Sequence, residues 1–171
     1  MNLIAAADAG WGIGFQNRLL AHIPEDMEFF KEMTAGHVAV MGRRTLESLP
    51  GGQPLKGRRN LVLTQDISFQ RKGAAIVHSI QELLQELTPF GSKEVYVIGG
   101  ACVYRQLLGF CDTAYITKIS HTFQADAFLP NLDRQEGWEL AASSKEQVSA
   151  ANGLKYRFLT YRRRQEAHSA P

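Results

Sequence analysis

The sequence predicts a single-domain α/β fold: a mostly parallel central sheet flanked by helices, closed by an antiparallel C-terminal strand or hairpin. Three observations carry this. Up to Cys111, short apolar runs alternate with helical patterns, the rhythm of strand–helix–strand units. Those runs are continuously apolar rather than alternating, as in strands covered on both faces. Beyond Cys111 the strand patterns follow one another without helices between them. At 171 residues the chain suits one domain, and a hydrophobic content of 44% is enough for its core.

The elements follow in order. Residues 3–7 form an apolar run that stops at Asp8. It has no basic flank and is too short for a signal peptide or a membrane span, so it reads as a buried first strand. Residues 8–23, with Gly10, Gly12 and Gly14, read as a long loop of the kind that is functional or mobile in small domains. Pro24 suits a first helical position and opens a helix over 24–34. A strand at 38–41 leads into a short helix at 44–48, and a second glycine-rich connection covers 50–58. Strands at 60–64, 75–77 and 95–98 enclose a helix at 80–87, and a further helix covers 101–108. The closing strands lie at 113–119, 138–145 and 155–162, with a hairpin turn near Ala151-Asn152-Gly153. Residues 1–164 make the domain, and 165–171 read as a frayed tail.

Composition excludes several functions. A net charge of +2 is too small to argue for nucleic acid. Cys102 and Cys111 have neither disulfide-framework nor metal-ligand spacing, and they suit a reducing cytosol. There is no Gly-x-Ser-x-Gly elbow, Walker A sequence or His-Glu-x-x-His pair. Hydrolysis, phosphoryl transfer and metal chemistry are therefore disfavoured, and no metal ligands are expected.

Asp26 stands out. At about 100° per residue, Ile23, Met27, Phe29, Phe30 and Met33 share one arc of the first helix, and Asp26 falls within it. Glu25, Glu28, Lys31 and Glu32 take the other side. A carboxylate among apolar side chains needs a partner to offset its desolvation, and a bound ligand is one candidate. The alternative is that a first-turn acid complements the helix dipole and its free N–H groups.

Two strand-to-helix junctions suit an anion. Ile98-Gly99-Gly100-Ala101 runs from a strand into a helix start, where missing side chains let a diphosphate approach the backbone. It lacks the third glycine of the Gly-x-Gly-x-x-Gly fingerprint. Met41-Gly42-Arg43-Arg44-Thr45 repeats the geometry and adds arginine forks and a hydroxyl. Two such junctions at strand carboxyl ends can hold one extended phosphorylated ligand in a shared crevice. One carboxylate, an anion crevice and a glycine loop suit an enzyme whose cofactor carries the hard chemistry.

Taken together these residues resemble the dihydrofolate reductase family over nearly the whole chain. The matching pieces run from Leu3-Ile4-Ala5-Ala6 through Ile13-Gly14, Pro24-Glu25-Asp26-Met27, Phe30-Lys31 and Met41-Gly42-Arg43-Arg44-Thr45. They continue with Pro54-Leu55, Gly57-Arg58-Arg59-Asn60, Val97-Ile98-Gly99-Gly100-Ala101, Val103-Tyr104 and Tyr115-Ile116-Thr117. Each is short, and their order and spacing make the match specific.

The resemblance implies that NADPH delivers hydride to C6 of dihydrofolate while N5 receives a proton, giving tetrahydrofolate. It implies a catalytic set of Asp26, which binds the pterin and promotes protonation, Thr117, which supports it, and Leu19 on the loop. Ile4, Ala5, Met27, Phe30, Leu49 and Leu55 match the folate pocket, and Arg58 matches the arginine that pairs with the glutamyl α-carboxylate. For the cofactor, Ala6, Ile13, Gly14 and Asn17 match on the strand and loop, and Gly42, Arg43, Arg44 and Thr45 at the phosphates. Leu63, Thr64, Gln65, Ile98, Gly99, Gly100, Ala101, Cys102, Val103 and Tyr104 complete that site. A cytoplasmic monomer with no nucleic-acid or membrane partner is expected.

The chain departs from the family pattern at three places. Ala21 stands where a tryptophan is usual, and Cys102 where an arginine is common. The stretch Pro50-Gly51-Gly52-Gln53 is longer than in typical bacterial members. A related pterin reductase, for example on dihydromethanopterin, is the first alternative, and Arg58 argues against it. A non-catalytic pterin or nucleotide binding protein is the second; Asp26 and Thr117 together argue against that.

Overall fold

A computed structural model describes residues 1–164; the expected tail lies outside the described residues. In chain order the strands are β1 (Asn2–Ala7), β2 (Gly12–Gly14), β3 (Val38–Gly42), β4 (Arg59–Leu63), β5 (Ala74–Val77) and β6 (Val95–Gly99). They continue with β7 (Thr113–Ile119), β8 (Ala127–Phe128), β9 (Trp138–Ser143), β10 (Gln147–Val148) and β11 (Lys155–Arg163). The helices are α1 (Pro24–Thr34), α2 (Arg43–Ser48), α3 (Ile80–Leu87) and α4 (Ala101–Leu107).

Nine strands form one sheet in the order β10-β11-β7-β1-β6-β3-β4-β5, with β9 also on β11. Pairing from β7 through β5 is parallel, whereas β11 runs antiparallel to β7, β9 and β10. Parallel strands must be covered on both faces, and Leu3, Val38, Val40, Leu61, Val62 and Val97 are accordingly buried. The antiparallel end carries hairpins instead: Ser149 N–H donates to Leu154 O and Gly153 N–H to Ser149 O, closing the β10–β11 turn where the sequence predicts it.

Three short elements escape the sequence pattern. β2 and β8 pair with each other, so the first long loop is part strand, and β10 is two residues long. Such strands are held by tertiary partners rather than by their own apolar period. β9 ends at Ser143, two residues before the expected end; its last pairs with β11 are Ala142 with Thr160 and Ser143 with Leu159, beyond a register shift after Leu140. The amphipathic arc of α1 is narrower than its sequence suggests. Phe29 packs on Phe158 and edge-on to Tyr115, with centroids 4.7 and 6.4 Å away, but Met27 is 41% exposed. No helix among the described residues is long and apolar enough to cross a membrane.

Candidate active site

Asp26 enters the site from the first turn of α1. Pro24 starts that helix, and the Asp26 and Met27 N–H groups both bond Ile23 O. The ring of Phe29, three residues on, seats the helix against β7 and β11. Below it, Thr117 of β7 is 1% exposed and donates its hydroxyl to Asp26 Oδ1 at 2.5 Å. Burial raises the Asp26 carboxyl above the usual aspartate range, and the Thr117 hydrogen bond pulls the other way without cancelling it. The Asp26 side chain caps none of the helix N–H groups. The dipole reading therefore explains less than the packing does. Glu25, beside it, serves a different purpose: it accepts from Ser149 Oγ and Ala150 N–H, each at 3.0 Å, and ties the β10–β11 turn to α1.

The two glycine junctions meet, as their sequences suggest. A Cβ on Gly42 would lie 3.1 Å from Val103 Cγ2, and one on Gly100 would lie 3.3 Å from Thr45 Oγ1. Gly99 has φ of +132°, a left-handed conformation that favours glycine, and its peptide to Gly100 is cis. Both junctions open on a cavity of about 1230 Å³, lined on one side by Gly42, Arg43, Arg44 and Thr45 and on the other by Gly100, Ala101, Cys102 and Val103. Leu63, Thr64 and Gln65 line it as well. Tyr104 donates to Ile4 O at 2.7 Å and links this wall to β1. Burial, and then the charge of Asp26, push the Tyr104 hydroxyl's ionisation far up, so it stays a neutral donor.

The glycine loop is organised by two aspartates. Asp8, 1% exposed, accepts from the N–H groups of Gly10, Gly12 and Phe123. Asp126 reaches the loop's outer part: its Oδ2 accepts from Gln16 N–H at 2.9 Å and its N–H donates to Gly14 O at 3.0 Å. Gln16 and Asn17, both at positive φ, line the cavity, and the Asn17 amide donates to Arg44 O.

Arg58 lies at the far end of α1. It donates from Nε and Nη2 to Thr34 Oγ1, both at 3.1 Å, from Nη2 to Lys31 O and from Nη1 to Lys56 O. Four of its five N–H groups are thus spent on the protein. Asn60 bonds Leu55 N–H and Leu55 O, which pins the rim carrying Leu55. Leu49, Leu55 and Ile98 pack on the cluster of Ala39, Met41, Leu46 and Val62. Ile4 is buried and Ala5 and Phe30 half-buried, while Ala6 pairs with Thr117 across β1 and β7.

Three of the expected residues are exposed or already paired. Leu19 is 62% exposed and Met27 is also uncovered, because neither has a protein layer over it. Arg43 lines the cavity but is not free: Nε pairs with Glu47 and Nη1 with Asp66, each at 2.7 Å, and its plane lies over Phe69. Ile13 packs against the main core from β2. Residues that the sequence did not single out also line the cavity, among them Asp66, His78, Arg105 and Asp126. Asp66 had a readable local signal, since Asp-x-Ser forms an Asx turn and Ser68 N–H bonds its carboxylate. Asp126 had none, because its partner is 110 residues away.

The chain has close relatives of known kind. A family model described as dihydrofolate reductase matches residues 1–163. The dihydrofolate reductase of Bacillus subtilis is 37% identical over 164 residues, covering 96% of this chain and 95% of that one. That of Staphylococcus aureus is 35% identical over 159 residues, covering 93% and 95%. Among solved structures, a dihydrofolate reductase from Enterococcus faecalis complexed with NADP(H) and RAB-propyl matches with a TM-score of 0.86 at 35% identity, over 96% of each chain.

Proposed function

The chain belongs to the dihydrofolate reductase family, and from that membership we infer that its crevice and Asp26 together reduce 7,8-dihydrofolate to 5,6,7,8-tetrahydrofolate with NADPH. The neighbour from Enterococcus faecalis is complexed with NADP(H), and the residues here fit that cofactor. Its phosphates need close backbone approach, and Gly42 and Gly100 line the cavity with backbone that carries no side chain. When bound, NADPH supplies the hydride that reduces C6.

The protein's own residues do the rest. Asp26 is the acid we assign to the pterin, and its hydrogen bond from Thr117 is the observation that carries the reading. Thr117 occupies Oδ1 and orients the carboxyl, leaving Oδ2 for the 2-amino group and ring N–H of the pterin. A carboxyl raised by burial retains its proton nearer to neutrality and so is matched to protonating N5, through water. Ile4, Ala5, Phe30, Leu49 and Leu55 supply apolar surface for the ring, and Met27 and Leu19 gain cover only when a ligand arrives. Arg58, held by Thr34, Lys31 and Lys56, keeps one Nη1 N–H and its charge for the glutamyl α-carboxylate. The loop over Gly14 to Asn17, anchored by Asp126, closes over the nicotinamide and excludes water.

The test is loss of NADPH absorbance on mixing with dihydrofolate. Turnover is expected, and its absence at every accessible pH would remove the reading. All these residues come from one chain, so the site is complete in a monomer, and we propose a cytoplasmic location on family grounds.

A further inference from the structure

We propose that Arg105, on the outer face of α4, is the cation that holds the diphosphate of the cofactor. The assignment rests on the NADPH reading above. The cavity wall carries three arginines, Arg43, Arg44 and Arg105, and three acids, Glu47, Asp66 and Asp126. Arg43 is committed to Glu47 and Asp66, a cluster that is net negative. Among the described residues, the side chains of Arg44 and Arg105 have no ion-pair partner. These two therefore remain to meet a ligand with several negative charges.

Their positions divide the work. Arg44 stands at the start of α2 and Arg105 one turn beyond Cys102 on α4, on opposite walls of the cavity. Helical side chains lean toward the helix N-terminus, so a residue covers the surface over the turn before its own Cα. Arg105 thus reaches back over Cys102 toward Gly100 and Ala101. The neighbouring polar groups do not compete: Gln106 Nε2 is spent on Cys102, bonding its O and its Sγ, at 3.0 Å to the sulfur. Arg105 also lies in the last turn of α4, where a cation suits the helix dipole. That role predicts an effect on stability, whereas diphosphate binding predicts one on ligand affinity.

Calorimetric titration with NADPH, NADH and 2′-AMP separates the cases. Arg105→Gln is expected to weaken NADPH and NADH alike by about tenfold, the low end for a charged hydrogen bond at an exposed site. It should leave 2′-AMP and the melting temperature unchanged. Arg105→Lys should retain part of the affinity, and Cys102→Arg added to Arg105→Gln should recover most of it, since the two positions share one helix face. Unchanged NADPH affinity in Arg105→Gln, or a loss confined to NADPH and 2′-AMP, overturns the assignment while the reductase reading stands. A wild-type protein that binds neither dinucleotide overturns both.

Discussion

Thr117 and Asp26, 91 residues apart, meet in a 2.5 Å hydrogen bond whose hydroxyl points at Oδ1. The bond joins a strand of the sheet to the first turn of α1. It leaves the carboxyl oriented yet still raised by burial, the state an acid catalyst needs.

Asp26→Asn should lower turnover by about a hundredfold or more, the scale of positioned acid–base catalysis. NADPH affinity, measured by titration, should stay within about twofold because Asp26 does not line the cavity between the two glycine junctions. The same variant should melt higher at neutral pH. A raised folded pKa means that ionised Asp26 is disfavoured by folding, so its cost is absent below the unfolded value and complete above the folded one. The gain in melting temperature should accordingly vanish as pH is lowered toward 4.

Thr117→Val removes the one hydrogen bond that lowers the Asp26 pKa. The carboxyl should then titrate higher still, and the falling limb of the kcat/KM profile for dihydrofolate should move to higher pH. A profile that moves to lower pH would contradict the assignment.

Arg58→Ala should raise the KM for dihydrofolate by about 10- to 100-fold, the value of a charge-assisted pair. A pterin lacking the glutamyl group should show no such change. Thr34→Val, which removes two of the bonds holding the fork, should give a smaller effect of the same kind.

Asp126→Ala frees Gln16 N–H from its acceptor, although the Asp126 backbone bond to Gly14 can persist. Hydrogen exchange at residues 14–18 should speed up and kcat should fall several-fold, with the melting temperature nearly unchanged. Unaltered exchange would show that the loop is held elsewhere.

Much of this was legible in the residues themselves. Continuous apolar strands such as Val38–Gly42 and the Pro24 helix start carry local signals, and Gly42, Gly99 and Gly100 marked the junctions that do meet. The arc containing Asp26 also singled out this carboxylate, but not how it is held, since Thr117 is a distant partner. The exposure of Met27 was not legible, because periodicity describes a helix face and not what covers it. The pairing of Arg43 has no local signal for the related reason that Asp66, 23 residues on, folds back to it. β2, β8 and β10 depend on pairing alone and leave no period to read.

The most direct measurement is the single-turnover rate of NADPH oxidation by dihydrofolate across pH, in the wild type and in Asp26→Asn. The wild-type rate should fall as pH rises through a value above the ordinary aspartate range, while the variant should be at least about a hundredfold slower and lack that titration. A variant that keeps the wild-type rate and profile would contradict the role given to Asp26.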